Sequence, residues 1–191
     1  MARQKDNKKT ELIYKATLTL VLKEGYSAFK MADVASAAGL ATGTLYVYFK
    51  NKEDLVNKLY LHLKTAKTSE MLSVYKPEDS FFVSFKKLWQ AYFMASMREP
   101  ERMIFLEQFT RSSYLKPATL KKADELLLPL VDFIVAAQKQ QHVKEFPVEL
   151  ILSNLMGAIN ETVKYFLDNK IVPGKKELEA CFEMAWNSVR R

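Results

Sequence analysis

The chain has 191 residues, 49% of them hydrophobic, enough for a well-buried core in one domain or two small ones. Only 5 glycines and 6 prolines, set against many Leu, Ala, Lys and Glu, argue against a sheet-rich or disordered protein and predict an all-α one. Cys181 is the single cysteine, which excludes an intrachain disulfide; the formal charge of +7 favours an anionic partner, and no apolar run approaches the ~18 residues of a membrane span, so a soluble cytoplasmic protein is expected.

Residues 1–9 are charged, carry no apolar core of the kind a secretion signal has, and read as a mobile basic arm able to meet a polyanion. Thr10 suits an N-cap, and Leu12, Ile13, Ala16, Leu20 and Val21 form an apolar stripe at helical spacing up to Glu24, after which Gly25 ends the helix. Residues 31–49 read as two short helices meeting at a turn. In the first, Met31, Val34 and Ala35 make one face apolar, while Ala37 and Ala38 are small enough for close helix crossing. Gly39 stands where a left-handed terminator is needed. In the second, Leu45 and Phe49 lie four apart on one face. Thr42, Gly43, Thr44, Tyr46, Val47 and Tyr48 spread hydroxyls, a small aliphatic and aromatic rings over the rest, and Lys50 and Lys52 follow directly.

A glycine-containing turn between two such helices is the pattern of a helix-turn-helix whose second helix enters the major groove of DNA. Periodicity alone also suits a plain helical hairpin in an all-α core. Charge adds to the first reading, because residues 1–52 hold nine basic and four acidic side chains and so carry +5 of the net +7.

The literal residues say more. Gly25-Tyr26, Asp33-Val34-Ala35, Ala37-Ala38-Gly39-Leu40, Gly43-Thr44-Leu45-Tyr46, Tyr48-Phe49-Lys50 and Lys52-Glu53-Asp54-Leu55 together resemble the DNA-binding domain of the tetracycline-repressor (TetR) family of bacterial transcriptional regulators, over about a quarter of the chain. The resemblance implies a helix-turn-helix domain over residues 1–52 and a helical effector-binding and dimerisation domain over 53–191, with about nine helices in all. It implies a ligand-released homodimeric repressor whose partners are a palindromic double-stranded DNA operator and a small-molecule effector. Carried over by position, Thr42, Gly43, Thr44, Tyr46 and Val47 face base edges or nearby backbone, Tyr48 bonds phosphate, and Lys30, Lys50 and Lys52 neutralise phosphates. Leu45 and Phe49 are structural. Ala41 and Lys30 stand where the family often has capping Ser and Thr, at an expected cost of about 1 kcal/mol each. Thr42 and Val47 replace the family's frequent Lys and His. Val21 replaces a larger Phe, a space that Phe29 is expected to fill.

From Asn51, a natural N-cap, a connector helix runs toward Met71 with Glu53 and Asp54 in its first turn. Pro77, Pro100, Pro117 and Pro147 each mark a further helix start, Pro129 should kink or split the third of these, and Pro173-Gly174 precedes a last helix over 175–189. The stretch 80–97 is rich in rings, with Phe81, Phe82, Phe85, Trp89, Tyr92 and Phe93. The next helices add Met103, Phe105, Glu107, Phe109, Leu130, Phe133 and Ile134. Each alone suits core packing; as a cluster, Phe85, Trp89, Tyr92, Phe105, Phe109 and Phe133 suit a pocket for an apolar or aromatic effector, with Glu107 placed to balance a cation. Leu152, Leu155, Met156, Ile159, Val163 and Phe166 form one apolar stripe near the C-terminus, and Leu178, Phe182 and Ala185 another. Gly157 and Ala158 allow close approach, so the pair of helices is expected to form a dimer interface.

Two rival classes stay open. His62 and His142 lie far apart, and there is no glycine-rich phosphate loop and no metal-spaced cluster, so neither an enzyme nor a cofactor is expected. A helical partner-binding scaffold that never reads DNA is the other alternative.

Overall fold

The computed structural model describes the backbone of residues 2–191 and the side chains of residues 6–191, so Arg3 and Lys5 of the expected basic arm lie outside the described side chains. Ten helices are described: α1 (Ala2–Glu24), α2 (Met31–Ala37), α3 (Thr42–Tyr48), α4 (Lys52–Leu72), α5 (Phe81–Arg98), α6 (Pro100–Thr110), α7 (Pro117–Glu125), α8 (Leu128–Lys139), α9 (Val148–Asp168) and α10 (Lys175–Val189). The fold is all-α; the one β feature among the described residues is an isolated antiparallel bridge between Val143 and Arg190. No helix is long and apolar enough to cross a membrane among the described residues.

Two local differences from the predicted elements have plain causes. The tenth helix arises because Pro129 splits the predicted third body helix into α7 and α8, the proline falling in the first turn of α8 where its missing N–H costs little. Thr10 is not a cap, since α1 begins eight residues earlier and the Thr10 hydroxyl donates back to the Asp6 carbonyl at 3.0 Å, as a threonine inside a helix does. Asn51 does cap α4, its side-chain oxygen accepting from the Asp54 N–H at 2.8 Å.

The chain divides into two compact units. The first takes residues 1–64 together with 101–123, so α6 and most of α7 fold with the helix-turn-helix. Its core joins Ile13, Val34, Leu45, Phe49, Leu55 and Leu59 to Phe105, Phe109 and Leu115 in one cluster, in which Val21 and Phe29 are both buried. A buried polar clamp adds direction to this packing. Asn57, inside α4, donates to the Glu53 and Tyr114 carbonyls at 2.8 and 3.1 Å and accepts from the Lys116 N–H at 2.9 Å. Tyr26 stacks on Tyr114 with ring centroids 3.9 Å apart, and the Tyr60 and Thr110 hydroxyls meet at 2.7 Å. Every polar atom of the buried Asn57 amide is thus used, which fixes the α6–α7 loop to α4 in one register.

The second unit takes residues 65–100 and 124–191. Here α5 and α9 pack together, with α8 and α10 against α9 and α10 also against α5. Phe93, Val143 and Val163 are its most deeply buried apolar side chains, and the Trp89, Phe93, Phe166 and Phe182 rings form a continuous aromatic core. One helix, α4, supplies residues to both units.

Candidate nucleic-acid interface and apolar pocket

α2 and α3 are each only seven residues long, too short to persist by propensity, so they depend on packing and on their ends. Gly39 sits at φ +67, and the Leu40 N–H reaches the Ala35 carbonyl at 2.9 Å, the long bond of a left-handed helix stop. At the start of α2, Lys30 offers no side-chain cap, but its backbone N–H donates to Asp33 Oδ2 at 2.7 Å, so Asp33 recovers part of the lost capping. Ala41 at the start of α3 has no such substitute.

Leu45 and Phe49 are buried and fix α3 to the core, leaving the opposite face to solvent. Val47 is 79% exposed and Tyr46 55%, beside exposed Thr42 and Gly43 and half-buried Thr44. Val47 is far more exposed than an aliphatic side chain needs to be in a folded domain, and no acidic residue interrupts this face within α3.

The basic residues separate into distinct roles. Lys30 and Lys50 are exposed. Lys52 is turned inward: its Nζ donates to the Phe29 carbonyl at 2.7 Å and the Ser27 carbonyl at 3.2 Å, and it lies over the Tyr26 and Phe29 rings at 4.7 and 4.2 Å. Burial pushes its pKa below the usual lysine value, against the opposing pull of Asp33. Its contacts make it a clamp on the α1–α2 loop, with its ammonium already engaged within the chain. Lys58, which the sequence did not single out, reaches the end of α3, donating to the Tyr48 carbonyl at 3.1 Å and to Asp54 Oδ2 at 2.9 Å. The i,i+4 spacing from Asp54 was the available signal. Although burial opposes it, hydrogen bonds from Lys58 and the Lys50 N–H, with the charges of both lysines, hold the Asp54 carboxyl below the usual range. The Tyr48 hydroxyl donates to Asp6 Oδ1 at 2.7 Å, and that bond, ahead of slight burial, raises the phenol pKa. Tyr48 therefore meets a phosphate only after giving up an acidic partner within its own chain.

In the second unit a cavity of about 60 Å³ is lined by Met71, Phe85, Leu88, Trp89, Tyr92, Leu130, Phe133, Ile134, Leu152, Leu155, Met156 and Ile159. Of the predicted pocket residues, Phe85, Trp89, Tyr92 and Phe133 stand on this wall. Phe105 and Phe109 do not: they stack on one another at 4.4 Å within the core of the first unit, and Glu107 is on the same helix there. Position in the chain could not reveal that α6 folds with the N-terminal helices.

The residues of the predicted dimer stripe have two kinds of surroundings within their own chain. Leu152, Leu155, Met156 and Ile159 line the cavity, Val163, Phe166, Phe182 and Ala185 are buried within the second unit, and Leu178 is half-buried. Side chains already buried in their own chain have little surface left to give a partner. The exposed apolar positions on the same two helices are Leu150, Gly157, Ala158 and Tyr165 on α9 and Ala180 and Met184 on α10.

Residues 13–59 match the family profile of the bacterial regulatory proteins of the tetR family. An uncharacterized HTH-type transcriptional regulator of Haemophilus influenzae is 25% identical over 191 residues, spanning 99% of this chain and all of that protein. A TetR family transcription regulator from Marinobacter aquaeolei has the same fold at a TM-score of 0.92, with 24% identity over 98% of both chains. The transcriptional regulator FadR from Bacillus subtilis, solved with stearoyl-CoA, superposes at 0.69 with 22% identity, over 93% of this chain and 95% of its own. Residues 13–59 thus carry the DNA-binding domain of the tetR family of bacterial regulatory proteins, and the chain is a DNA-binding transcriptional regulator.

Proposed function

We propose that the protein is a homodimeric repressor that reads a palindromic operator through α3 and leaves it when an apolar effector occupies the cavity of the second unit. The observation that carries this reading is the face of α3, where Tyr46 and Val47 are exposed while Leu45 and Phe49 anchor the helix from behind. Thr42, Gly43, Thr44, Tyr46 and Val47 meet base edges or adjacent backbone, and Tyr48, Lys30 and Lys50 meet phosphates. Val47 suits the methyl group of a thymine better than any polar edge.

Dimerisation falls to the outer faces of α9 and α10. Leu150, Tyr165 and Met184 supply apolar contact area, and Gly157, Ala158 and Ala180 let a partner helix approach closely. Such a dimer presents two copies of α3 to successive major grooves about 34 Å apart.

The effector reading rests on the cavity wall, which carries no charged side chain. At about 60 Å³ the cavity is smaller than most effectors, so an occupant must hold its walls apart. Met71 stands on that wall and on α4, the helix that reaches back to Leu55 in the core of the first unit. An effector that prefers the widened wall thereby biases the angle of α4 and the spacing of the two α3 helices, a shift of population between two states. The relative solved with stearoyl-CoA supports an apolar-bodied effector. The protein acts where the chromosome is, in the cytoplasm.

Selection of genomic fragments by the purified protein tests the reading directly. Recovery of fragments sharing an inverted repeat, at one dimer per site, is the expected outcome. Fragments without a shared sequence would favour the scaffold alternative.

A further inference from the structure

The first ten residues hold four basic side chains and a single acidic one, Asp6. That carboxylate stands on the one α3 side chain that the operator reading gives to phosphate: the Tyr48 hydroxyl donates to Asp6 Oδ1 at 2.7 Å, across 42 positions of chain. The contact is built into the packing of α1. Asp6, Thr10 and Tyr14 follow at intervals of four and share a helix face. The Thr10 hydroxyl donates to the Asp6 carbonyl at 3.0 Å, and the Tyr14 ring lies 5.7 Å from that of Phe49, the residue after Tyr48. On the same helix Ile13 and Thr17 are fully buried, so α1 carries Asp6 to the end of α3 from an anchored base. A phenol has one proton and donates one bond. An operator phosphate that takes this bond displaces Asp6, and at hydrogen-bond distance from the hydroxyl its oxygen stands within about 5.5 Å of Asp6 Oδ1, like charge facing like.

We propose that Asp6 is a built-in competitor of the DNA backbone: it holds the Tyr48 hydroxyl in the free protein and gives it up to a phosphate only at a cost in operator affinity. This rests on the reading of Tyr48 as a phosphate contact and deepens it. Asp6 acts through Tyr48, so it is a positioning residue that sets affinity rather than a contact of its own. The weakened grip suits a repressor that must be released, because an effector needs less differential affinity to empty a site that is held less tightly.

The probe is a labelled duplex of the most enriched fragment from the genomic selection, titrated by fluorescence anisotropy with four full-length proteins: the natural chain, Asp6→Asn, Tyr48→Phe and the double variant. Asp6→Asn is expected to tighten binding about fivefold in the natural chain but no more than about twofold in Tyr48→Phe, where only the general change of charge is left. By the same cycle, Tyr48→Phe should cost more affinity in Asp6→Asn than in the natural chain. Equal tightening in both backgrounds would make Asp6 an ordinary surface charge, and weaker binding by Asp6→Asn would make it a support for Tyr48. Either result, with Tyr48→Phe still costing affinity, overturns the proposal and leaves the phosphate contact standing. A Tyr48→Phe change that does nothing in either background removes that contact and the proposal together, as does a natural chain that binds no fragment. Melting of the free proteins gives a second check. The bond is exposed, so all four should melt within about two degrees of one another. A larger fall in Asp6→Asn would mean that the bond serves to hold α1 to α3, and would overturn the proposal.

Discussion

Lys50 and Lys52 stand two residues apart and look interchangeable as sequence, yet one is exposed and the other is bonded to two carbonyls and covers two rings. Their variants should therefore differ in kind. Lys50→Ala should leave stability within about 0.5 kcal/mol and lower the slope of log affinity against log salt by about one, read from binding titrations at several salt concentrations. Lys52→Ala should leave that slope unchanged and lose about 1–2 kcal/mol in chemical denaturation, since two charge-assisted bonds to backbone and two ring contacts go together. Asp54 carries a pH signature of its own. Its folded pKa lies below the ordinary carboxylate value of about 4, so its bonds to Lys58 and to the Lys50 N–H stabilise the fold above that pH and are lost as pH falls through the folded value. Asp54→Asn should be less stable than the natural chain by roughly 0.5–1 kcal/mol at pH 7, after allowing for solvent screening, with the difference shrinking away as pH falls through the folded value. Melting curves across pH check it.

The seven-residue helices α2 and α3 draw their persistence from what surrounds them, so their ends are where single changes tell most. Gly39→Ala would force a Cβ into φ +67. No atom crowds the position, so the cost is conformational alone, about 1 kcal/mol. Ala41→Ser should do the reverse, restoring a side-chain acceptor at the start of α3 and raising stability by about 0.5–1 kcal/mol. Thermal melting of the two variants against the natural chain gives both signs. Most element boundaries were legible because capping residues and prolines are local signals: Asn51, Gly25, Gly39 and Pro129 each act within a few residues of themselves. The start of α1 was not, because Thr10 satisfies its hydroxyl equally well inside a helix as at its end.

At the scale of the molecule, the inner faces of α9 and α10 are core, and the proposed dimer rests on their outer faces. Leu150→Lys with Met184→Glu should convert the proposed dimer to a monomer in light scattering and lower operator affinity steeply, while the helical content stays constant. Phe182→Ala, on the opposite face, should instead lose about 3–5 kcal/mol of stability, because it empties the aromatic core of the second unit. The separation of these two outcomes distinguishes an outer apolar face from an inner one. Periodicity showed that both helices were apolar over a wide arc but could not say which part of the arc a partner sees.

By itself the sequence determined the helix-turn-helix. Its frame depends on a left-handed glycine, two buried anchors four residues apart and a cap at Asn51, all interactions that close within a few turns of chain. Tertiary structure alone decided the rest: that Lys52 faces inward, that Phe105 and Phe109 serve the first unit's core, and that the stripe from Leu152 to Ile159 walls a cavity. Each of these turns on a neighbour tens of residues away, and helical periodicity, which records only that a face is apolar, carries no label for the surface it meets.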